Sequence, residues 1–428
     1  MHGSAAAWTT VRSVMLALLS LTLRAAAVSV PRNSAGAARA QAFGELERAF
    51  TEYTAKHRRE YVRGSPEYNE RFALFRRSLA EVQARNSRPG RKWRAGVNKF
   101  ADRSDEERRG VLGWRPIAGR HSEGGPAAEG GALVEEGAIL REVAWTNLTV
   151  ASHVYDQGAC GSCWAVATVS LLDARHEIHY GPGREPFSVQ ELVSCVANPR
   201  HCGGKGQCKG ATVELGMAYA MTHGLADANE VPYKAHDGEC HHPTALISGD
   251  HHTHAGVLVG MAFGLKGYRT LPKNKEAPLL ASLMNGPVAV SVAAHGWFPY
   301  DGGVFNDCPK DAIINHAVTL YGYKAGLEGY WLVRNSWGPD WGEKGYIRLA
   351  RTEDEDGNCG VDNDPEKGVD CEGGPSKVRV CGACGILYDS VEPHFAPKSE
   401  VAAFVASGAH SARAVNVIRR EDFGEQSE

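Results

Sequence analysis

The sequence has no excess of basic residues: 47 Lys and Arg stand against 50 Asp and Glu, a formal net charge of -3. No cationic surplus is left to neutralise a phosphate backbone, which excludes nucleic acid as a partner. It also has no membrane span, because a helix crossing a bilayer needs roughly 20 apolar residues. The only candidate run, Val14 to Leu23, is cut short by Arg24. Internal repeats are absent, which removes solenoids and propellers. No cysteine occurs before residue 150, although eleven follow it. Nor is the chain poor in apolar residues: at 43% hydrophobic over 428 residues it is no disordered or collagen-like polymer, and it has room for two or three domains.

What is present divides the chain into segments. Arg12, the apolar run and Ala25-Ala26-Ala27 form a secretory signal over residues 1–27. A soluble protein matured in an oxidising compartment follows, where eleven cysteines leave at least one thiol unpaired. Residues 40–109 are charged and helix-prone, with Phe72, Phe75, Leu79 and Val82 recurring at three- and four-residue steps. Residues 110–142 turn to Gly, Ala, Glu and Pro and read as an exposed, cleavable linker. The largest segment, 143–395, opens with a helix from about Ser162 to Gly181 and continues through short β-rich runs such as Val288–Val292, Ala317–Tyr321, Tyr330–Val333 and Gly345–Leu349. Two lobes, one helical and one β-rich, are expected. The tail, 396–428, is small-residue and polar and is expected to be loosely ordered.

The densest chemical signal is Gln157-Gly-Ala-Cys160-Gly-Ser-Cys163-Trp-Ala165. Cys163 opens a helix, where the positive end of the backbone dipole favours the thiolate. A Cys-x-x-Cys is also read as a zinc knuckle or a redox pair, but no second pair lies at zinc-finger spacing and the βαβ context of a thioredoxin is missing. Cys381-Gly-Ala-Cys384 leaves a distant four-cysteine zinc site as an alternative.

The run Cys160-Gly-Ser-Cys163-Trp164 resembles the signature of papain-like cysteine proteases, and Asn315-His316-Ala317, Asn335-Ser336-Trp337-Gly338 and Trp341-Gly342 follow in the order that family has. The resemblance implies an α+β, papain-like two-lobe fold, with a helical left lobe and a β-barrel-like right lobe, behind a mainly helical inhibitory prodomain. It implies a cysteine-type endopeptidase made as a zymogen: Cys163 is the nucleophile, His316 the general base and then acid, and Asn335 the residue that orients the ring. Gln157 would donate to the oxyanion, Trp337 would shield the His316–Asn335 bond and line the substrate site, and Gly210 would line the cleft against substrate backbone. Glu67, Arg71, Phe75, Ser78, Val82 and Asn86 share one helix face and, with Gly96-Val-Asn98-Lys-Phe100-Ala-Asp102, resemble the propeptide of cathepsin-L-like zymogens. Trp145 lies 18 residues before Cys163, as near the mature N-terminus of the family, so maturation is expected between Ala132 and Val143.

The resemblance also implies the bridges Cys160–Cys208, Cys195–Cys240 and Cys308–Cys384, with Cys202 competing for the place of Cys208 and Cys359 for that of Cys384. Residues 359–383 then form an insertion, and Cys202, Cys359, Cys371 and Cys381 form two further bridges of open connectivity. In that register Asp389 lies at the base of the second specificity pocket and would admit Arg or Lys there; in the other register Asp364 takes the position. Asn147-Leu-Thr149 is an N-glycosylation sequon. No cofactor or metal is implied. The expected partners are peptide or protein substrates and the chain's own propeptide, with the enzyme a monomer, in the lysosome, a vacuole or outside the cell. Histidines 236, 241, 242, 251, 252 and 254 form a cluster of irregular spacing that charges at acidic pH; His241-His242 resembles the pair that makes cathepsin B an exopeptidase, but no cysteine pair encloses it. An inactive binding or storage protein and a disulfide oxidoreductase are the readings from other classes.

Overall fold

The computed structural model describes residues 32–113, 140–240 and 259–407, the first nine as helix backbone. The signal segment 1–27, His241, His242, His251, His252, His254, most of the 110–142 linker and the end of the tail lie outside the described residues. The chain divides into two compact units, one comprising residues 1–87 and 99–104 and the other residues 88–98 and 105–428.

In the first unit, α1 (Arg32–Lys56) and α2 (Pro66–Asn86) pack as a helical pair. Ser65 caps α2 by accepting from Tyr68 N at 3.1 Å, and Pro66 supplies a first helical residue that needs no donor. Of the apolar stripe expected on α2, Phe72, Phe75 and Val82 are buried and Leu79 is half-buried; Tyr68, Phe72 and Phe75 meet Phe50 of α1. Beneath them sits the wholly buried carboxylate of Asp102. It accepts from Arg59 Nε at 2.9 Å and from the Tyr53 and Tyr61 hydroxyls at 2.8 Å each, while Arg71 binds its carbonyl at 3.1 Å. Burial, reinforced by this anion, raises the pKa of both phenols. Breaking a buried pair leaves the other charge uncompensated, so Asp102→Ala should destabilise this unit by about 3–5 kcal/mol. An earlier first transition in urea unfolding of the full-length chain, with the later transition unmoved, is the expected result.

The second unit is built around α4 (Cys163–Tyr180), buried continuously from Cys163 to Arg175. Gly181, at φ +97°, ends it. Helices α5 (Val189–Cys195) and α6 (Val213–His223) pack on α4 to complete a helical half. The β half is a nine-stranded sheet of β1 (Trp93–Ala95), β2 (Glu142–Ala144), β3 (Leu265–Thr270), β4 (Val288–Val292), β5 (Tyr300–Phe305), β6 (His316–Lys324), β7 (Tyr330–Arg334), β8 (Tyr346–Ala350) and β11 (Ser390–Phe395). The strand order is β1-β5-β8-β7-β6-β4-β11-β3, with β2 beside β6. Strand β4 is buried at every residue, as befits a central strand of Val and Ala with α7 (Glu276–Leu283) packed against it. The expected strands are all present, and α3 (Asp105–Val111) extends the helical stretch two residues past Arg109.

Two segments from before residue 113 belong to this unit. Strand β1 adds to the edge of β5, pairing Trp93 with Gly303 and Arg94 with Gly302. Trp93 inserts between Tyr300 and Phe305, and Asn98 Nδ2 binds Phe298 O at 2.6 Å. This is strand addition, in which backbone hydrogen bonds supply affinity and an aromatic anchor sets the register.

Five disulfides close the unit: Cys160–Cys208, Cys195–Cys240, Cys308–Cys384, Cys202–Cys371 and Cys359–Cys381. Such a set forms in the oxidising secretory pathway. It also removes the alternative of a zinc site on Cys160, Cys163, Cys381 and Cys384, since three of those sulfurs are bridged. Residues 359–383 carry a two-stranded hairpin of β9 (Cys359–Asp362) and β10 (Val378–Cys381). The tail departs from the expectation of loose order: residues 398–406 form helix α8 (Lys398–Ala406). Its Ala- and Val-rich sequence is compatible with helix, Pro397 ends the preceding extended chain, and Lys266 pairs with Glu400 at 3.1 Å. Among the described residues no helix is long and apolar enough to cross a membrane.

Candidate active site

Cys163 is the first residue of α4, and its thiol is the one free cysteine sulfur among the described residues. His316 opens β6 and Asn335 follows β7; the antiparallel pairing of Thr319 with Arg334 brings both to the same end of the sheet. There His316 Nε2 lies 2.7 Å from Asn335 Oδ1, which also accepts from Ser336 N at 2.8 Å. The opposite ring nitrogen, Nδ1, is buried without a partner among the described residues. An imidazole held by one nitrogen with the other left open is arranged to exchange a proton with a neighbour.

The Trp337 ring centroid lies 5.2 Å from that of His316, and Phe298 stacks on Trp337 at 4.8 Å and 6°. Trp337 is 1% exposed. It thus shields the His316–Asn335 bond. The Phe298 ring covers its face, and the Arg108 guanidinium lies 5.7 Å over that ring.

Gln157 is wholly buried. Its Oε1 accepts from Ser336 Oγ at 2.5 Å, which turns Nε2 into the cleft, where it donates to Val111 O at 2.7 Å and Cys160 O at 2.8 Å. Tyr233 fixes the backbone beneath, donating to Gln157 O at 2.8 Å and meeting the Ser162 hydroxyl at 2.5 Å. Neither Ser336 nor Tyr233 was singled out in the sequence. Ser336 stands inside the Asn-Ser-Trp motif without a role of its own there, and Tyr233 lies in no motif.

The cleft is lined among others by Cys163, Gly210, Thr212, Ser291, His316 and Gly368. Leu112 and Gly113 lie in it: a Cβ on Gly113 would sit 3.3 Å from Gly210 Cα, and one on Gly161 would sit 2.5 Å from Gly113 Cα. Gly210 itself has φ +90° and a carbonyl 2.6 Å from where its Cβ would be, so no other residue fits. Burial raises the Cys163 thiol pKa to about 11, against the pull of nearby backbone N–H groups. Burial likewise lowers the His316 pKa to about 4, although its bond to Asn335 favours the charged ring.

Asp389, just before β11, accepts from Ser291 Oγ at 2.5 Å, which places it behind the cleft wall. Asp364 lies in the 359–383 segment, paired with Lys367, which lines the same cleft. Unforeseen in the sequence, Glu214 of α6 reaches Asp389: its Oε2 is buried with no donor among the described residues, and burial, followed by the Asp389 charge, raises its pKa. Burial beside a second carboxylate disfavours the charged form of Glu214. Asn147 is exposed, and His236 is exposed with Nδ1 2.6 Å from Asp237 O.

The pattern of the papain family cysteine protease matches residues 140–369, and that of the cathepsin propeptide inhibitor domain (I29) matches residues 50–107. The chain belongs to the papain family. It is a papain-family cysteine endopeptidase made with an inhibitory propeptide. It is 33% identical to cysteine endopeptidase RepA of Oryza sativa subsp. japonica over 310 residues, covering 69% of this chain and 76% of that protein. It is 32% identical to vignain of Phaseolus vulgaris over 308 residues, covering 69% and 78%. Among solved structures it is similar to the recombinant stem bromelain precursor (TM-score 0.62, 26% identity, 82% of this chain and 99% of that one). It is also similar to the digestive procathepsin L2 proteinase from Tenebrio molitor larval midgut (TM-score 0.60, 26% identity, 82% and 100%).

Proposed function

We propose that this papain-family enzyme hydrolyses peptide bonds through an acyl-enzyme on Cys163, and that residues 105–113 silence it by lying in the cleft until they are removed. The observation that carries the reading is the junction at Gln157, whose amide donates to a peptide carbonyl, Val111 O, at the N-terminus of the helix that presents Cys163. A substrate carbonyl bound there faces the Gln157 amide and the Cys163 backbone N–H, which form the oxyanion site.

The steps follow from the groups at hand. His316 Nδ1 takes the thiol proton, and the Cys163 sulfur adds to the substrate carbonyl carbon. The carbonyl π electrons move onto oxygen, where the two donors hold the negative charge. Collapse breaks the C–N bond, and His316 returns the proton to the departing amine. Water, deprotonated by His316, then attacks the thioester; the acid leaves and the thiol is restored. Asn335 keeps the ring plane fixed throughout, and Trp337 keeps water from that hydrogen bond.

Gln157→Ala removes one oxyanion donor and should lower kcat by about 10²–10³-fold with little change in KM. Steady-state kinetics of the matured variant measures it, and an unchanged kcat would remove Gln157 from the reaction.

Asp389 supports a second pocket that takes Arg or Lys as well as apolar side chains. Burial, followed by the Asp389 charge, keeps Glu214 uncharged at neutral pH. Glu214 gains a negative charge as pH climbs through the raised value, so preference for Arg over Leu at the second position should strengthen toward alkaline pH. Asp389→Ala should reduce that preference about 10-fold or more, read from kcat/KM for paired fluorogenic substrates. The intact set Cys163, His316, Asn335 and Gln157 speaks against an inactive binding protein, and the Cys160–Cys208 bridge speaks against a redox pair at Cys160 and Cys163. Asn147 serves as a glycosylation site, and an acidic lysosome or vacuole suits an enzyme whose prosegment must be released.

A further inference from the structure

Between them, the Cys202–Cys371 bridge and the 359–383 segment do something none of the site residues requires: they connect the two halves of the enzyme across the cleft. On the β side the segment is rooted beside His316. Ile314 N donates to Asp362 Oδ2 at 2.9 Å and Val361 N to Asp311 Oδ1 at 2.9 Å. Gly368 lies so close to the chain before His316 that a Cβ on it would meet Ile314 O and come within 3.0 Å of Asn315 Cα.

On the helical side the same segment runs along the loop that precedes Gly210. Gly203 N donates to Asp370 O at 2.9 Å and Glu372 N to Arg200 O at 3.0 Å. His201 Nδ1 lies 2.7 Å from Glu372 Oε2, and the disulfide joins Cys202 to Cys371 within this stretch. The two sides meet at Gly203, where a Cβ would sit 2.9 Å from Ala211 O and 3.0 Å from Gly368 O. Gly203, Lys367 and Gly368 line the same cavity as Cys163 and His316.

The position of this crossing along the cleft is given by the prosegment. Val111 O is at Gln157, and two residues later Gly113 is packed on Gly210. The Gly203–Gly368 contact adjoins Ala211 and Thr212, next to that point. On the reading of the site given above, Gly210 lines the cleft against the substrate backbone and Asp389 supports the second pocket, so the crossing lies on the side of the substrate that precedes the scissile bond.

We propose that the 359–383 segment is a disulfide-fastened roof over that end of the cleft, and that it limits good substrates to those with about two residues, or two and a small cap, ahead of the scissile bond. Among its endopeptidase substrates, chains with few residues ahead of the bond cut are then preferred over chains with long amino-terminal extensions. Because one end of the roof is continuous with the β half and the other is fixed by a covalent bond and two backbone hydrogen bonds, it does not swing aside at ordinary thermal energy. A longer chain has to leave the cleft beyond the second pocket and forfeits contacts there.

The proposal rests on the peptidase reading, and its test separates the two. Matured enzyme, with the Cys202–Cys371 bridge verified by non-reducing peptide mapping, is assayed on an acetyl-Leu-Arg fluorogenic substrate and on the same dipeptide extended by three residues at its amino end. The intact enzyme should show kcat/KM about 10-fold or more lower on the extended substrate. The double variant Cys202→Ala, Cys371→Ala should bring the two substrates within about twofold by raising the extended one, with the short one unchanged.

Equal or faster turnover of the extended substrate by the intact enzyme overturns the roof, as does an unaltered ratio in the double variant. Where that variant does not fold, mass-spectrometric mapping of the cuts made by the unaltered enzyme in a 12-residue peptide decides: cuts after the second or third residue support the roof, and cuts spread along the peptide contradict it. Silence on both substrates is the failure of the peptidase reading, a different outcome from equal activity on both.

Discussion

Replacing Cys163 with alanine should lower kcat/KM on every peptide substrate by at least about 10⁴-fold and leave the full-length chain uncut at acidic pH, because no other group in the cleft can form the acyl-enzyme. Cys163 is the one free cysteine among the described residues, and the other ten are bridged. The loss should appear in kcat, with binding retained: the alanine variant still has Gln157, Gly210 and the Asp389 pocket. Gel analysis of the acidified variant checks the processing half, and titration with a fluorescent peptide inhibitor of the reversible type checks retained binding. Residual turnover above about 1% of the parent would mean that the chemistry does not pass through this sulfur.

The second large effect concerns the covered site. With the thiol pKa at about 11 and the imidazole pKa at about 4, both groups are neutral over the whole range between, the reverse of the ion pair that attack requires. At pH 7 a thiol of that pKa is ionised to about one part in 10⁴. Both shifts come chiefly from burial, to which Leu112 and Gly113 in the cleft contribute, so the prosegment is expected to suppress the nucleophile's charge as well as block the cleft. Removing residues 105–113 readmits water, and the helix N-terminus and the imidazole then favour the thiolate. Iodoacetamide should alkylate Cys163 in the matured enzyme at least about 10³-fold faster than in the intact zymogen at pH 6 to 7. In the zymogen the rate should keep climbing tenfold per pH unit toward the raised thiol value, whereas in the matured enzyme it should be flat through neutrality. Equal rates in the two forms would show that the cover is steric alone.

Much of this site was legible before any coordinates because its parts are local. A nucleophile at a helix start needs a particular short run, and Gln157 to Ala165 supplies it; the orienting Asn and shielding Trp are two residues apart in Asn335-Ser336-Trp337. Helix α4 and the strands were readable for the same reason, each carrying its own periodicity and stop. What was hidden is tertiary. The pairing of Cys202 with Cys371 closes 169 residues of chain, and nothing in the spacing of four leftover cysteines selects it from its alternatives. Glu214 looks like an ordinary first-turn helix acid until the fold brings Asp389 against it. Ser336 gains its role only when β7 delivers it beside Gln157. The β1 strand was too short to announce itself, because three residues at a sheet edge take their conformation from the partner strand. Helix α8 was missed for a different reason: its nine residues are Ala- and Val-rich with no buried face, so no amphipathic period marks them.

The most direct test of the central claim is to treat the chain, before and after acid maturation, with an epoxysuccinyl peptide that alkylates thiolates, and to map the adduct by mass spectrometry. One adduct per molecule on Cys163 in the matured form, with peptidase activity lost in proportion and the zymogen left unlabelled, is the predicted result. No adduct on Cys163 after maturation, or full labelling of the uncut zymogen, would contradict an enzyme that acts through this thiol and is silenced by its own prosegment.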